Sequence, residues 1–322
     1  MNSTSTASTA GWPAVCVFGA GAVGCYFGAR LAMAGAPVTL IARGPHVQAI
    51  GQHGLIFESA GTRTPVRLTA TTEPDAVTTA DLVLFCVKSR DTDSGARTIA
   101  ARLKPGAVVV SLQNGVDNVA RMRAAAGLDA LAAVVYVACS MAGPGHVRHA
   151  GRGDLVLGGL PDADDTSLTH RVDAQAPARV AAVFERAGVP CPVSADVRVD
   201  LWVKLAMNCV FNPISALGRA HYARLVADEP TRAVMRDVIA ECVQVAHADG
   251  VALPTVDELL QSALALGHAM AQATSSTAQD LAAGRPTEID SLNGYVARRA
   301  RELHVAAPVN QALQALVRLA EG

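Results

Sequence analysis

Val15-Cys16-Val17-Phe18-Gly19-Ala20-Gly21-Ala22-Val23-Gly24 is the most informative run in the chain. Four apolar residues read as a buried strand, and the Gly-x-Gly-x-x-Gly after them opens a helix-like segment, Ala22 to Ala34. In that setting Gly19 allows a tight turn, Gly21 lets the backbone approach a pyrophosphate, and Gly24 permits close packing of helix on strand. The helix start adds N–H groups and the positive end of its dipole. A glycine-rich turn that binds nothing is the alternative, and the flanking strand and helix weigh against it.

Outward from this loop, short apolar runs alternate with amphipathic segments, the pattern of a parallel sheet wrapped by helices. Strands are expected at Ala14 to Phe18, Val38 to Ile41, Leu82 to Val87, Val108 to Leu112 and Leu131 to Val137. Helices are expected at Asp91 to Leu103 and Val116 to Ala126. Gly145 to His149 and Asp154 to Leu157 read as a glycine-rich antiparallel pair at the sheet edge, and Ser167 to Arg186 as a helix. Beyond Ala195 the chain is helical and Ala-rich, punctuated by Pro213, Pro230, Pro254, Pro286 and Pro308. The expected organisation is a flexible lead at 1–11, an α/β domain at 12–193 and an all-α domain at 194–322.

The 322 residues suit about two domains at roughly 150 each. With 51% hydrophobic residues and no run of about 18 apolar ones, the chain reads as globular and soluble, without a membrane span. Twenty-seven basic against 28 acidic residues leave a net charge of −1, so no basic field draws nucleic acid, and a small-molecule partner is expected. The seven cysteines, Cys16, Cys25, Cys86, Cys139, Cys191, Cys209 and Cys242, are scattered without a CxxC and fit free thiols in a reducing cytoplasm.

Further candidates lie at strand ends and on one helix. The second strand closes on Ala42-Arg43, where an NAD site has an acid. A guanidinium there suits the 2′-phosphate of NADP, the alternative being a surface arginine in a turn. Lys88 and Asn114 follow two further strands, on the side where open α/β sheets bind ligands; either could instead cap a helix. Leu201 to Ser215 is an oily helix marked only by Lys204, Asn208 and Asn212 at i, i+4, i+8. Four residues advance a helix by about 40° beyond a full turn, so the three form one drifting stripe. That stripe is expected to line a polar cleft at the domain junction, the alternative being a structural lysine paired across the core. Ser275-Ser276 and Thr287-Glu288-Ile289-Asp290 form a last cluster, where capping explains the acids equally well. His146 and His149 lack a neighbouring ligand cluster for a metal.

Together, the GAGAVG loop, Val87-Lys88 with Leu112-Gln113-Asn114-Gly115, the block from Lys204 through Asn212-Pro213, and Ser275-Ser276 through Asp290 resemble the ketopantoate reductase (2-dehydropantoate 2-reductase) family. The resemblance runs from Val15 nearly to the C-terminus. It implies a Rossmann-type N-terminal domain, a helical C-terminal domain and NADPH-dependent reduction of ketopantoate to pantoate for pantothenate and coenzyme A synthesis. Lys204 matches the family's proton donor. Asn208, Asn212 and Ser276 match substrate contacts, with Asn114 beside them, and Lys88, Asn114 and Glu288 match residues near the cofactor and the lysine. Gly19, Ala20, Gly21, Ala22, Val23, Gly24 and Arg43 complete the expected cofactor site. Two positions depart from the pattern: Ala273 and Tyr222 stand where substrate-contacting asparagines are expected. A related 2-oxo acid reductase or β-hydroxyacid dehydrogenase is the nearest alternative. A non-catalytic NADP-sensing module is a second, disfavoured by the intact lysine stripe. A homodimer is the candidate assembly.

Overall fold

The computed structural model describes residues 11–161 and 168–322. The chain divides into two compact units, Met1–Gln113 with Asp117–Val197, and Asn114–Val116 with Arg198–Gly322. Strands of the first unit are Val15–Phe18 (β1), Val38–Ile41 (β2), Leu55–Ser59 (β3), Thr62–Val66 (β4), Thr69–Thr71 (β5), Leu82–Phe85 (β6), Val108–Ser111 (β7), Leu131–Gly143 (β8) and His146–Gly158 (β9). Its helices are Ala22–Met33 (α1), Gly44–His53 (α2), Thr92–Ala100 (α3), Asn118–Ala126 (α4) and Ala176–Arg186 (α5).

Among the described residues, the nine strands join one sheet, ordered β4-β3-β9-β8-β7-β6-β1-β2-β5. From β8 to β5 every pairing is parallel. β1, β6 and β7 are buried at every residue, which is why they read as unbroken apolar runs. Chain order reverses at β1, with β2 on one side and β6 on the other, so the loops after β1 and β6 leave from neighbouring strands at a switch point. β4 and β5 are the two ends of the sheet, yet only Arg67 and Leu68 separate them along the chain. The sheet therefore curls, and α1 packs against β1, β2, β3, β4, β8 and β9 alike.

Several expectations need correction here. Gly145 to His149 and Asp154 to Leu157 are not partners at an edge. From His146 on they belong to one strand, β9, paired antiparallel to β8 and parallel to β3 inside the sheet, with Gly145 in the turn before it. The glycines that read as breakers mark bulges: register shifts beside Arg152, where φ is 51°. No element is expected between Ile41 and Leu82, where α2 and β3 to β5 lie; β4 and β5 are short and mostly polar, and β3 offers only the brief apolar run Leu55-Ile56-Phe57. The helix expected from Ser167 begins only at Ala176, with Pro177 in its first turn, and Ser167 itself lies outside the described residues. Of the expected flexible lead, 1–10 lie outside them too, while Gly11 accepts a hydrogen bond from Arg186 at 2.9 Å.

Helices of the second unit are Val197–Gly218 (α6), Tyr222–Ala227 (α7), Glu229–Ala248 (α8), Val256–Ala269 (α9), Ser276–Ala282 (α10), Asn293–Glu302 (α11) and Pro308–Glu321 (α12). Among the described residues no strand follows β9. Pro230 and Pro308 open helices as expected, but Pro213 lies inside α6 and does not end it. The helix expected after Pro286 starts only at Asn293, after a 3-10 turn at Ile289–Ser291. α6 is the axis of this unit's core, with Trp202, Leu205, Ala206, Cys209, Val210 and Phe211 all buried.

Candidate active site

In the first unit β1 leads directly into the glycine loop. Gly19 has φ 103°, and a Cβ there would lie 2.7 Å from the Val87 nitrogen, so only glycine fits. A Cβ on Gly24 would lie 2.4 Å from the Gly19 carbonyl oxygen. Gly21 is different. Its φ is −79°, and a Cβ would meet no atom within 4 Å. Nothing inside the protein demands glycine there, whereas an outside group lying on bare backbone would. Gly21 also provides no side-chain cap to α1, so the N–H groups of Ala22, Val23 and Gly24 lack the intrahelical partners that later residues have. This cradle fits the pyrophosphate of a dinucleotide. Ala20 contributes less, because its N–H donates to the Ile41 carbonyl at 3.1 Å.

That same Ile41 carbonyl ends β2, two residues before Arg43, which is exposed and sits at the N-cap of α2. The first turn of α2 carries no acid. Arg43 therefore begins a helix rather than lying in an isolated turn, and both its charge and the helix start favour an anion. Lys88 is exposed just beyond β6, at the start of a 3-10 turn, Ser89–Asp91, without a side-chain cap bond. Beneath these loops lies a polar brace that sequence reading missed. Buried Gln113 donates to the Val87 carbonyl at 3.0 Å and to Thr92 Oγ1 at 2.8 Å, and Thr92 Oγ1 lies 2.9 Å from Asn118 Oδ1. A glutamine directly after an apolar strand was the available signal. A second missed contact is Cys25 Sγ, 3.3 Å from both the Ala20 carbonyl and His46 Nε2. Burial pushes the Cys25 thiol up to about 12, which makes it a packing group and not a nucleophile.

In the second unit Lys204 and Asn208 are half-buried and Asn212 is buried, all on α6. Lys204 Nζ donates to Asn114 Oδ1 at 3.0 Å, and Asn114 Nδ2 donates to Glu288 Oε2 at 3.5 Å. An ammonium on one side and a carboxylate on the other fix the orientation of the Asn114 amide. Lys204, Asn114 and Glu288, separate in sequence, thus form one line. Glu288 stands at the N-cap of the 3-10 turn Ile289–Ser291, without a side-chain bond to that turn's backbone. Asp290 instead accepts from Gln314 of α12 at 2.6 Å, and Thr287 Oγ1 accepts the Ile289 N–H at 3.2 Å.

Farther along α6, Asn212 Nδ2 lies 3.5 Å from Ser276 Oγ. Ser275 docks this turn onto the helix: its hydroxyl donates to the Asn212 carbonyl at 3.1 Å and its N–H donates to Ser215 Oγ at 3.3 Å. Asn208 makes no side-chain hydrogen bond among the described residues. The two departures from the family pattern are neighbours, because the Tyr222 N–H donates to the Ala273 carbonyl at 3.1 Å. Tyr222 stacks on Phe211 with ring centroids 4.3 Å apart, and burial pushes its hydroxyl up to about 12. His146 binds Glu58 at 2.9 Å, and Ser59 Oγ lies 3.1 Å from His149 Nδ1, which accounts for both histidines structurally.

Known proteins resemble the chain along nearly its whole length. The family model for ketopantoate reductase PanE/ApbA matches residues 15–162, and that for its C-terminal part matches 196–321. A 2-dehydropantoate 2-reductase of Halobacterium salinarum is 35% identical over 310 residues, covering 95% of this chain and 98% of that one. The crystal structure of a PanE/ApbA family ketopantoate reductase from Ralstonia eutropha is 48% identical, with a TM-score of 0.85 over 95% of this chain and 98% of the other. A ternary structure of D-mandelate dehydrogenase, 24% identical over 95% of this chain and 98% of that one, shares the fold at a TM-score of 0.86.

Proposed function

The chain belongs to the ketopantoate reductase family, a family of nicotinamide-dependent oxidoreductases, and we propose that it reduces ketopantoate to pantoate with NADPH, in pantothenate and coenzyme A synthesis. The observation that carries this reading is the line from Lys204 through Asn114 to Glu288, with the Asn212–Ser276 pair farther along the same helix. A bound reduced nicotinamide would supply the hydride that the oxo carbon needs. As that carbon becomes tetrahedral its oxygen gains negative charge, which Lys204 stabilises through its ammonium and then neutralises by proton transfer. Asn114, whose amide donates onward to Glu288, keeps the ammonium aimed. Asn208, Asn212 and Ser276 orient the carboxylate and hydroxyl of the substrate.

Gly19 to Gly24 would hold the pyrophosphate, with Lys88 contributing positive charge nearby. Arg43 selects the 2′-phosphate, and hence NADPH over NADH. The seven free thiols suit a reducing cytoplasm. A second reading, a relative acting on another 2-oxo acid, is favoured by one observation: Tyr222 and Ala273 put an aromatic ring and a methyl group where amides are expected.

The test follows NADPH absorbance across a panel of 2-oxo acids that includes ketopantoate, for the wild type and Lys204→Ala. General acid catalysis contributes about 100-fold to 10,000-fold, so turnover in the variant should fall by that order while NADPH affinity is kept. Full turnover in the variant would remove Lys204 from the mechanism. No oxidation with any 2-oxo acid would sink the reductase reading.

A further inference from the structure

Pro213 lies inside α6 directly after Asn212. Having no N–H, it cannot give the Cys209 carbonyl the hydrogen bond that a regular helix supplies, and its ring crowds that same carbonyl. Cys209 lies between Asn208 and Asn212, so the defect falls within the polar stripe. Another side chain repairs it. Asn293, at the start of α11 and fully buried, donates from Nδ2 to the Cys209 carbonyl at 3.0 Å.

The same Nδ2 donates its other hydrogen to Asn310 Oδ1 at 3.0 Å, and Asn310 Nδ2 donates to Glu241 Oε2 at 2.8 Å. Glu241 also accepts the Val309 N–H at 2.8 Å and the Asn310 N–H at 2.9 Å, at the start of α12. A carboxylate offers only acceptors, so Asn310 must turn its NH2 toward Glu241 and its oxygen toward Asn293. Asn293 must then present its own NH2, and both hydrogens are engaged. The remaining atom, Asn293 Oδ1, is buried with no hydrogen-bond partner among the described residues. The fold tolerates an unsatisfied buried oxygen where an apolar residue facing an unbroken helix would avoid it, and a retained defect of this kind calls for an explanation.

We propose that Asn293, oriented by Asn310 and Glu241, is a positioning residue that holds the Cys209 carbonyl left unpaired by Pro213 inside α6 and thereby sets the placement of Asn208 and Asn212 for the oxo acid. This rests on the reading of α6 as the substrate helix. Pro213 removes the backbone donor for the Cys209 carbonyl between the two amides, Asn293 donates to that carbonyl instead, and Ser275 donates to the Asn212 carbonyl. A regular helix would carry the same side chains at a different separation and tilt.

A double-mutant cycle tests it. In Pro213→Ala the backbone N–H returns and can satisfy Cys209 itself, so Asn293 loses its unique task. Asn293→Ala should raise KM for the oxo acid about tenfold and leave the Kd for NADPH within about twofold. In the Pro213→Ala background the same change should alter KM less than about threefold, a clear departure from additivity. A merely structural asparagine would lower thermal stability and leave KM alone in both backgrounds, and that result overturns the proposal. Should Asn293→Ala fail to fold, Glu241→Gln serves: its NH2 must face one of the α12 N–H groups, which upsets the relay one step away. It should raise KM about threefold, and an unchanged KM overturns the role. Lys204→Ala, measured in parallel, separates the two ideas. Lost turnover there with additive Asn293 and Pro213 effects overturns the positioning role alone, while retained turnover overturns the site and the role together.

Discussion

Replacing Gly21 by alanine separates an internal demand for glycine from an external one. A Cβ at Gly21 meets nothing within 4 Å and φ is an ordinary −79°, so the folded chain has room for it. Stability without cofactor should change by less than about 1 kcal/mol. If a pyrophosphate lies against this backbone, the methyl group pushes it off at least one N–H of the helix start. A hydrogen bond to a charged group contributes about 1.5–3 kcal/mol, which corresponds to about a tenfold to 150-fold rise in Kd. Calorimetric titration with NADPH, beside thermal melting of the free protein, reads both quantities. Gly24→Ala is the contrast, since its Cβ would sit 2.4 Å from the Gly19 oxygen and should lower the melting temperature first. A Gly21→Ala protein that melts like the wild type and binds NADPH as tightly would refute the pyrophosphate assignment.

Arg43→Ala should raise KM for NADPH about tenfold or more and leave NADH almost untouched, because only one of them carries the 2′-phosphate; steady-state kinetics with both cofactors decide, and equal effects make Arg43 structural. With Tyr222 and Ala273 in place of amides, kcat/KM for ketopantoate should exceed that for an analogue lacking its hydroxyl by less than about 100-fold, and a much larger preference would mean that other groups hold the hydroxyl. Glu58 is held at about 2, chiefly by the hydrogen bond from Arg148. A depressed carboxyl stabilises the fold above its unfolded value and loses that contribution as pH falls through its folded value. The stability gap between wild type and Glu58→Gln in urea titrations should thus be widest above about pH 4.5 and close toward pH 2; a gap independent of pH would contradict it.

Features that depend on local pattern were legible in the sequence. β1, the glycine turn and α1 follow one another with apolar run, glycine spacing and helical period in agreement, and the Lys204 stripe stood out because α6 is otherwise so oily. What escaped depends on partners distant in the chain. β4 and β5 are short polar strands that form only because neighbours supply the ladder, and β9 runs through glycines that a local reading takes as ends. Pro213 is tolerated inside a helix because Asn293, 80 positions later, answers for the missing bond. The adjacency of Tyr222 and Ala273 is likewise a backbone contact that no spacing rule encodes.

The Arg67-Leu68 link between the two ends of the sheet acts as a clasp. Three Cα steps of about 3.8 Å allow Val66 and Thr69 to stand no more than about 11 Å apart. An open sheet of nine strands would present two far-separated rims, each able to recruit a strand from another molecule. Here the rims are tethered near one another, and the same closure wraps the apolar flank of α1. Cutting the chain at this link, or lengthening it with a flexible insert, should let the sheet uncurl. The exposed flank and freed rims would then show as dye binding and aggregation well before the helical unit melts.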